Sequence, residues 1–182
     1  MKSMFLAIIT ILALAGPAVA TGTGDTYSFL FREDRGEWCG FRDAAPFDDL
    51  AAELIPLESG RVSYLRSGKV SEIIVQTQPE SGDWLVLDTY VPKVEGGTLA
   101  RTITFAQDGV RIDQQGNLGR DGTFSMAWVK ARKPDGSKVD TATIDIPEIT
   151  IYGDLRQIPF MKLAQRMKDR SLATLCGKAD GP

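Results

Sequence analysis

Turn signals recur along this chain at short, regular intervals, and their spacing constrains the fold more than any other feature. From residue 59 onward, a glycine-containing turn signal occurs roughly every 8–16 residues. Short strands joined by such turns are typical of antiparallel β structure. The signals are Ser59-Gly60, Ser67-Gly68, Ser81-Gly82, Glu95-Gly96-Gly97, Asp108-Gly109, Asp121-Gly122, Pro134-Asp135-Gly136 and Tyr152-Gly153.

The segments between these turns are rich in valine, isoleucine, threonine and aromatic residues, which favour strands. They predict a mainly β protein, an antiparallel meander that forms a barrel or a strongly curved sheet. A sandwich is the alternative that the same spacing allows. The predicted strands are Tyr27–Phe31, Val62–Arg66, Val70–Gln78, Trp84–Val91, Leu99–Ala106, Val110–Asp113, Thr123–Ala131, Val139–Ile146 and Ile149–Tyr152.

Two amphipathic segments predict helices that pack on this sheet. The first is a short helix over Pro46–Ile55 in the N-terminal half, with Phe47, Leu50 and Leu54 on one face. The second is a C-terminal helix over about residues 159–175. Its apolar residues recur at helical spacing, and Pro159 suits the first helical position.

The first twenty residues have the layout of a secretory signal peptide. Lys2 precedes the apolar run Met4–Ala15, and Ala18 and Ala20 supply the small residues of a cleavage site. The apolar run is shorter than the ~20 residues that span a bilayer. We therefore expect residues 1–20 to be removed, leaving a single domain over residues 21–182. We expect this domain to be exported, either periplasmic or secreted, without stable insertion in a membrane.

The chain has only two cysteines, Cys39 and Cys176. In an exported protein, where disulfides persist, these two predict one intramolecular disulfide. The alternative is a pair of free thiols, one of them a nucleophile. A catalytic thiol usually needs a histidine or another source of thiolate stabilisation, and the chain has no histidine. The disulfide is therefore the favoured interpretation.

Composition excludes several classes of function. Without histidine, Ser-His-Asp and Cys-His catalysis and the usual zinc and copper sites are ruled out. Loss of Lys2 with the leader leaves 20 basic residues against 24 acidic ones, so no basic footprint for nucleic acid is present. We predict no cofactor and no metal site.

An aromatic face on the predicted sheet is the strongest candidate site. Period-two alternation places large apolar residues and a few charges together on three strands, as a ligand pocket requires. The alternative is a packed core whose charges reach solvent at the strand ends. The candidate ligand-binding residues are Trp84, Asp88, Tyr90, Arg101, Trp128 and Lys130.

These features favour a non-catalytic module that binds a small apolar or amphipathic ligand or an envelope protein. The first alternative is a carboxylate-dependent hydrolase of envelope polysaccharide, for which Asp88, Asp145 and Glu148 are candidates. The second is a structural or protein-interaction module that uses a sheet edge or the C-terminal helix. The sequence predicts no catalytic residue.

Overall fold

A computed structural model describes residues 23–54 and 56–178, and the predicted signal peptide lies outside them. Ten strands form one antiparallel sheet, which confirms the mainly β prediction. Two α-helices and two short 3-10 helices, Thr141–Thr143 and Leu155–Gln157, complete the fold. The main elements are β1 Thr23–Arg32, β2 Glu37–Phe41, α1 Ala44–Leu54, β3 Glu58–Leu65, β4 Val70–Thr77, β5 Trp84–Lys93, β6 Gly96–Phe105, β7 Arg111–Leu118, β8 Phe124–Arg132, β9 Lys138–Val139, α2 Met161–Asp169 and β10 Thr174–Gly177.

The turn chemistry in the sequence produces most of the hairpins that it predicts, but the predicted turn Ser59-Gly60 lies inside β3 and Tyr152-Gly153 lies in irregular chain. Between β6 and β7, Gly109 adopts a φ of 67°, and its amide donates to the carbonyl of Phe105 at 3.0 Å. The Asp108 side chain accepts a hydrogen bond from the amide of Val110. A positive φ at the glycine and a carboxylate that bonds to the local backbone are what an Asp-Gly turn requires.

The strands from β3 to β9 follow one another as a meander, and the N-terminal part departs from this order. The sheet order is β10-β2-β1-β3-β4-β5-β6-β7-β8-β9. After the β1–β2 hairpin, α1 carries the chain back so that β3 pairs with the other side of β1. Because β10 and β9 lie at opposite edges of this order, the sheet is open and does not close into a barrel.

The two helices pack on opposite faces of the sheet. Phe160, just before α2, stacks on Phe29 of β1 with ring centroids 4.9 Å apart. On β1 the next residue, Leu30, points to the opposite face, where it packs with the apolar side of α1. The face that bears α2 carries the largest core cluster, which includes Tyr27, Phe29, Trp38, Val62, Ile73, Tyr90, Leu99, Phe160 and Met167.

The C-terminal helix is shorter than the sequence predicts. It ends at Asp169, and Ser171 adopts a φ of 51°, which turns the chain away from the helix axis. Residues 170–173, predicted as helix, instead form a turn that leads into the edge strand β10, which pairs with β2. The apolar residues Leu172 and Leu175 mimic helical spacing, but Leu172 packs against the core from the turn after α2 and Leu175 packs against it from β10.

The predicted disulfide is present and links Cys39 to Cys176. These residues are direct cross-strand partners on β2 and β10, with Cα atoms 4.1 Å apart. The disulfide therefore fixes the edge strand to the sheet and does not hold the end of a helix. No helix among the described residues is long and apolar enough to cross a membrane.

Candidate binding cleft

A buried ion pair lies at the centre of the face that bears α2. Asp88 on β5 and Arg101 on β6 are direct cross-strand partners. The Arg101 guanidinium donates through Nε and Nη2 to the two carboxylate oxygens, each at 2.7 Å. Both side chains are buried, with exposed fractions of 4% for Asp88 and 6% for Arg101. Burial raises the pKa of Asp88, although its bonds to Arg101 favour the ionised form.

The same guanidinium holds residues 144–154, here called the crossing segment, against the sheet. Arg101 donates through Nη1 to the carbonyl of Ile149 at 3.3 Å and through Nη2 to that of Thr150 at 3.0 Å. Two residues after Thr150, the amide of Tyr152 donates to the hydroxyl of Tyr90 at 3.2 Å. Side chains thus satisfy backbone groups of the crossing segment at partly buried positions.

The ion pair separates two apolar clusters on this face of the sheet. Tyr90 and Leu99 belong to the large cluster beneath α2, whereas Val86 and Ile103 belong to a second, smaller cluster. The crossing segment covers parts of both clusters. Ile144, Ile146 and Ile149 pack on the smaller one, while Ile151 and Tyr152 pack on the larger. The sequence predicts strands over Val139–Ile146 and Ile149–Tyr152, and that prediction is wrong. Of these residues only Val139 lies in a strand, β9, and the others form the 3-10 helix Thr141–Thr143 or irregular chain.

Beside the crossing segment, the sheet is left partly uncovered and a cleft of about 190 Å³ opens. Strands β3, β4 and β5 supply its floor, and the crossing segment supplies its opposite wall. The residues that line it are Glu58, Val75, Thr77, Trp84, Asp88, Glu148, Ile149, Thr150 and Tyr152. The lining combines aromatic rings and aliphatic side chains with three carboxyl groups, and none of these residues is basic.

Glu58 is the most unusual of the cleft residues. It lies at the start of β3 opposite Thr77 and is half-buried. Burial raises the pKa of the Glu58 carboxyl, and the negative charge of Glu33 raises it further. The described residues provide it with no hydrogen bond and no ion pair. The Glu58 and Asp88 charges in turn add to the effect of burial in raising the pKa of Tyr152.

The structure brings together only part of the predicted ligand-binding set. Trp84 and Asp88 line the cleft. Tyr90 is fully buried and Arg101 almost so, and both contact the crossing segment. These two residues position the wall of the cleft and do not line it.

Trp128 and Lys130 lie on the opposite face of the sheet, which corrects the prediction that they share a face with Asp88. The register of β8 shifts by one residue against β7 between Gln115 and Gly116. A β-bulge of this kind reverses the face of every residue beyond it. Trp128 donates through Nε1 to Gln115 at 3.1 Å, and the Lys130 ammonium lies 4.8 Å from the Trp128 ring centroid.

Only some of the carboxylates proposed for hydrolysis lie at the cleft, and Asp88 is one of them. Glu148 lines the cleft, and Asp145 does not. Glu58 was not predicted, because Glu58-Ser59-Gly60 reads as a turn, whereas β3 begins at Glu58. Alternation from the buried residues Gly60 and Val62 was the signal that would have placed Glu58 on the same face as Asp88.

Among the described residues, the only cluster with metal-ligand proximity consists of Glu37, Cys39 and Cys176. The two cysteines are joined as a disulfide and therefore supply no thiolate. Comparisons with known proteins give no match: no family model, no curated protein and no solved structure matches the chain.

Proposed function

We propose that this protein is an exported, non-catalytic domain that binds a small amphipathic ligand, or one group of a larger envelope component. The observation that supports this function best is the cleft between β3–β5 and the crossing segment. Apolar and aromatic side chains line it together with carboxyl and hydroxyl groups, and both kinds come from the sheet and from the crossing segment. Apolar walls with a few placed polar groups are the usual composition of a ligand site.

The size of the cleft limits what it would hold. At about 190 Å³ it is smaller than the ~300–1,000 Å³ typical of pockets for drug-sized ligands. A single small molecule, or one terminal group of a larger one, matches this volume. The wall is also preorganised, because Arg101 and Tyr90 fix the backbone of the crossing segment from below.

Export is part of the proposal. The predicted signal peptide over residues 1–20 and the Cys39–Cys176 disulfide both fit a compartment in which disulfides persist. Detection of a mature chain beginning at Thr21 in a periplasmic or culture fraction would support this part. Recovery of the full-length chain from the cytosol alone would contradict it.

Blocking the cleft tests the binding function. Thr150 is exposed and lines the cleft, and Arg101 contacts only its carbonyl, so Thr150→Trp should fill the cleft without disturbing the fold. Thr104→Trp, on the opposite face of β6, is the matched control. We expect 2-phenylethanol or 2-phenylethylamine to shift the NMR signal of Trp84 saturably in wild type and in the control. The shift should be lost in Thr150→Trp, and equal shifts in both variants would contradict the site.

One observation favours a second candidate, a carboxylate-dependent hydrolase. Glu58 and Glu148 line the same cleft, and the raised pKa of Glu58 suits a general acid. This candidate predicts that wild type releases reducing ends from peptidoglycan or another envelope polysaccharide. Glu58→Gln should abolish the release, and Glu72→Gln on the opposite face should not. Absence of release by wild type between about pH 4 and 8 would remove this candidate.

A further inference from the structure

We infer that the ligand of this cleft is an organic cation, a primary or quaternary ammonium joined to a small apolar or aromatic group. The inference rests on the proposed function and specifies the chemical class of its ligand. Glu58 and Glu148 would face the positive charge. Trp84 and Tyr152 would contact the apolar part and the adjoining ammonium.

The residues that line the cleft carry negative charge and no positive charge. Three carboxyl groups line it, and one of them, Asp88, already forms a bidentate pair with Arg101. Glu58 and Glu148 therefore remain without a countercharge among the residues that line the cleft. Glu33 adds negative potential, since its charge acts on Glu58. A positively charged ligand supplies the charge that the cleft lacks.

Glu58 lies on the face of β3 that is buried farther along the strand. The residues that follow it on the same face of β3 are the buried Gly60 and Val62, so this carboxylate occupies a place where small or apolar residues would pack. Holding a half-buried carboxylate without a partner is unfavourable for folding. Contact with a ligand cation would compensate that cost. Ligand binding therefore accounts for a carboxylate at this position, whereas packing of the sheet does not.

Two aromatic side chains line the cleft beside these carboxylates. Trp84 and Tyr152 come from opposite sides of the cleft, one from β5 and the other from the crossing segment. The faces of aromatic rings attract ammonium groups, most strongly where water is excluded. Carboxylates together with aromatic rings recognise an organic cation better than they recognise a neutral or anionic ligand.

Three probes of equal size and different charge test the inference. They are 2-phenylethylammonium, 2-phenylethanol and phenylacetate, each titrated into the full mature protein at pH 7 and low salt. We expect the cation to bind about tenfold more tightly than the alcohol, which corresponds to ~1.4 kcal/mol. Phenylacetate should show no saturable binding. An affinity for the alcohol equal to that for the cation would overturn the inference and leave the proposed function intact.

Substitutions assign the charge recognition to particular residues. Glu58→Gln should lower the affinity for the cation about tenfold, to the level of the alcohol, without changing the affinity for the alcohol. Glu148→Gln, at the exposed mouth of the cleft, should have a smaller effect in the same direction, and it tests the inference if Glu58→Gln fails to fold. Glu72→Gln, which lies on the opposite face and pairs with Arg61, is the control. If neither cleft variant changes the preference for the cation, the inference is wrong.

The dependence on pH provides a further readout. Protonation of Glu58 removes the charge that faces the cation, so binding should weaken as pH is lowered. Because the pKa of Glu58 is raised, this weakening should begin at a higher pH than it would for an ordinary glutamate. The charged and titratable groups that face Glu58 are Glu33, Glu148, Tyr152 and the Asp88–Arg101 pair. Glu58→Gln should remove this step from the profile. If none of the three probes binds, both the inference and the proposed function fail.

Discussion

At the scale of single residues, Arg101 combines two tasks that a shorter or uncharged side chain could not combine. It neutralises Asp88, and it also satisfies two carbonyl groups of the crossing segment. Five donors in a planar fork make this possible. We expect Arg101→Met to lower the free energy of unfolding by about 3–5 kcal/mol, since it leaves a buried carboxylate unpaired.

The double variant Asp88→Leu/Arg101→Met separates the two tasks. It removes the unpaired charge but still leaves the carbonyls of Ile149 and Thr150 without their donor. We therefore expect it to be more stable than Arg101→Met alone and less stable than wild type. Urea unfolding of the four proteins in the cycle measures the coupling, and strictly additive losses would contradict a direct ion pair.

Two buried tyrosines provide a matched test of the hydrogen bond that holds the crossing segment. The hydroxyl of Tyr90 accepts from the amide of Tyr152, whereas that of Tyr64 is buried without a hydrogen-bond partner among the described residues. Burial raises the pKa of Tyr64 to about 12. Tyr90→Phe should cost about 1 kcal/mol of unfolding free energy, and Tyr64→Phe should be neutral or stabilising. Equal losses in urea unfolding would contradict this difference.

Glu58 makes stability depend on pH in a predictable direction. Its pKa is raised in the folded state, so the folded protein retains the proton over a range of pH in which the unfolded chain, with an ordinary pKa near ~4.3, has lost it. The contribution of Glu58 to stability is therefore fully present below that value and is lost as pH rises through the raised pKa. Glu58→Gln should match wild type near pH 4 and exceed its melting temperature at pH 7. The exposed Glu80→Gln should follow wild type, and a Glu58→Gln profile parallel to wild type would contradict the prediction.

At the scale of elements, the hairpins were predictable because their turns depend on local chemistry, as at Asp108-Gly109. The crossing segment was not, since its alternating isoleucines resemble a strand. Its backbone is held by Arg101 and Tyr90 from the sheet below. These residues are far from the segment in the sequence, so the segment's own residues give no sign of the bonds. The bulge in β8 was missed for a similar reason, because an extra residue breaks the period without changing the composition.

The end of the crossing segment depends on a close contact between two backbones. A Cβ atom at Gly153 would lie 2.0 Å from the carbonyl oxygen of Gly122, in the β7–β8 turn. Gly153→Ala should therefore displace the segment and destabilise the protein by about 1–3 kcal/mol. Gly177→Ala is the control, because the nearest atom there is 3.8 Å away. Thermal unfolding compares the two, and equal melting temperatures would contradict the contact.

At the scale of the whole molecule, the sequence predicted the cleft only in part. Alternation on β5 and β6 placed Trp84 and Asp88 on the same face as Arg101, as the cross-strand register confirms. The opposing wall comes from residues about sixty positions farther along the chain, and which segment covers which face is a matter of tertiary packing. Glu58 was hidden by a strand boundary, which is the least certain feature of any sequence-based assignment.

The Cys39–Cys176 disulfide acts on the whole molecule, because it links residues separated by 137 positions. The chain-entropy relation gives about 5 kcal/mol for a loop of this length, with smaller values common in practice. We expect reduction with dithiothreitol to lower the urea midpoint markedly. Ligand affinity, measured where the reduced protein is still folded, should change less than twofold, since β1 and β2 separate β10 from the cleft. An unchanged urea midpoint would contradict the first expectation and would mean that β10 and α2 hold the sheet edge without the disulfide. A loss of ligand affinity would contradict the second and would mean that the sheet edge and the cleft fold as one unit.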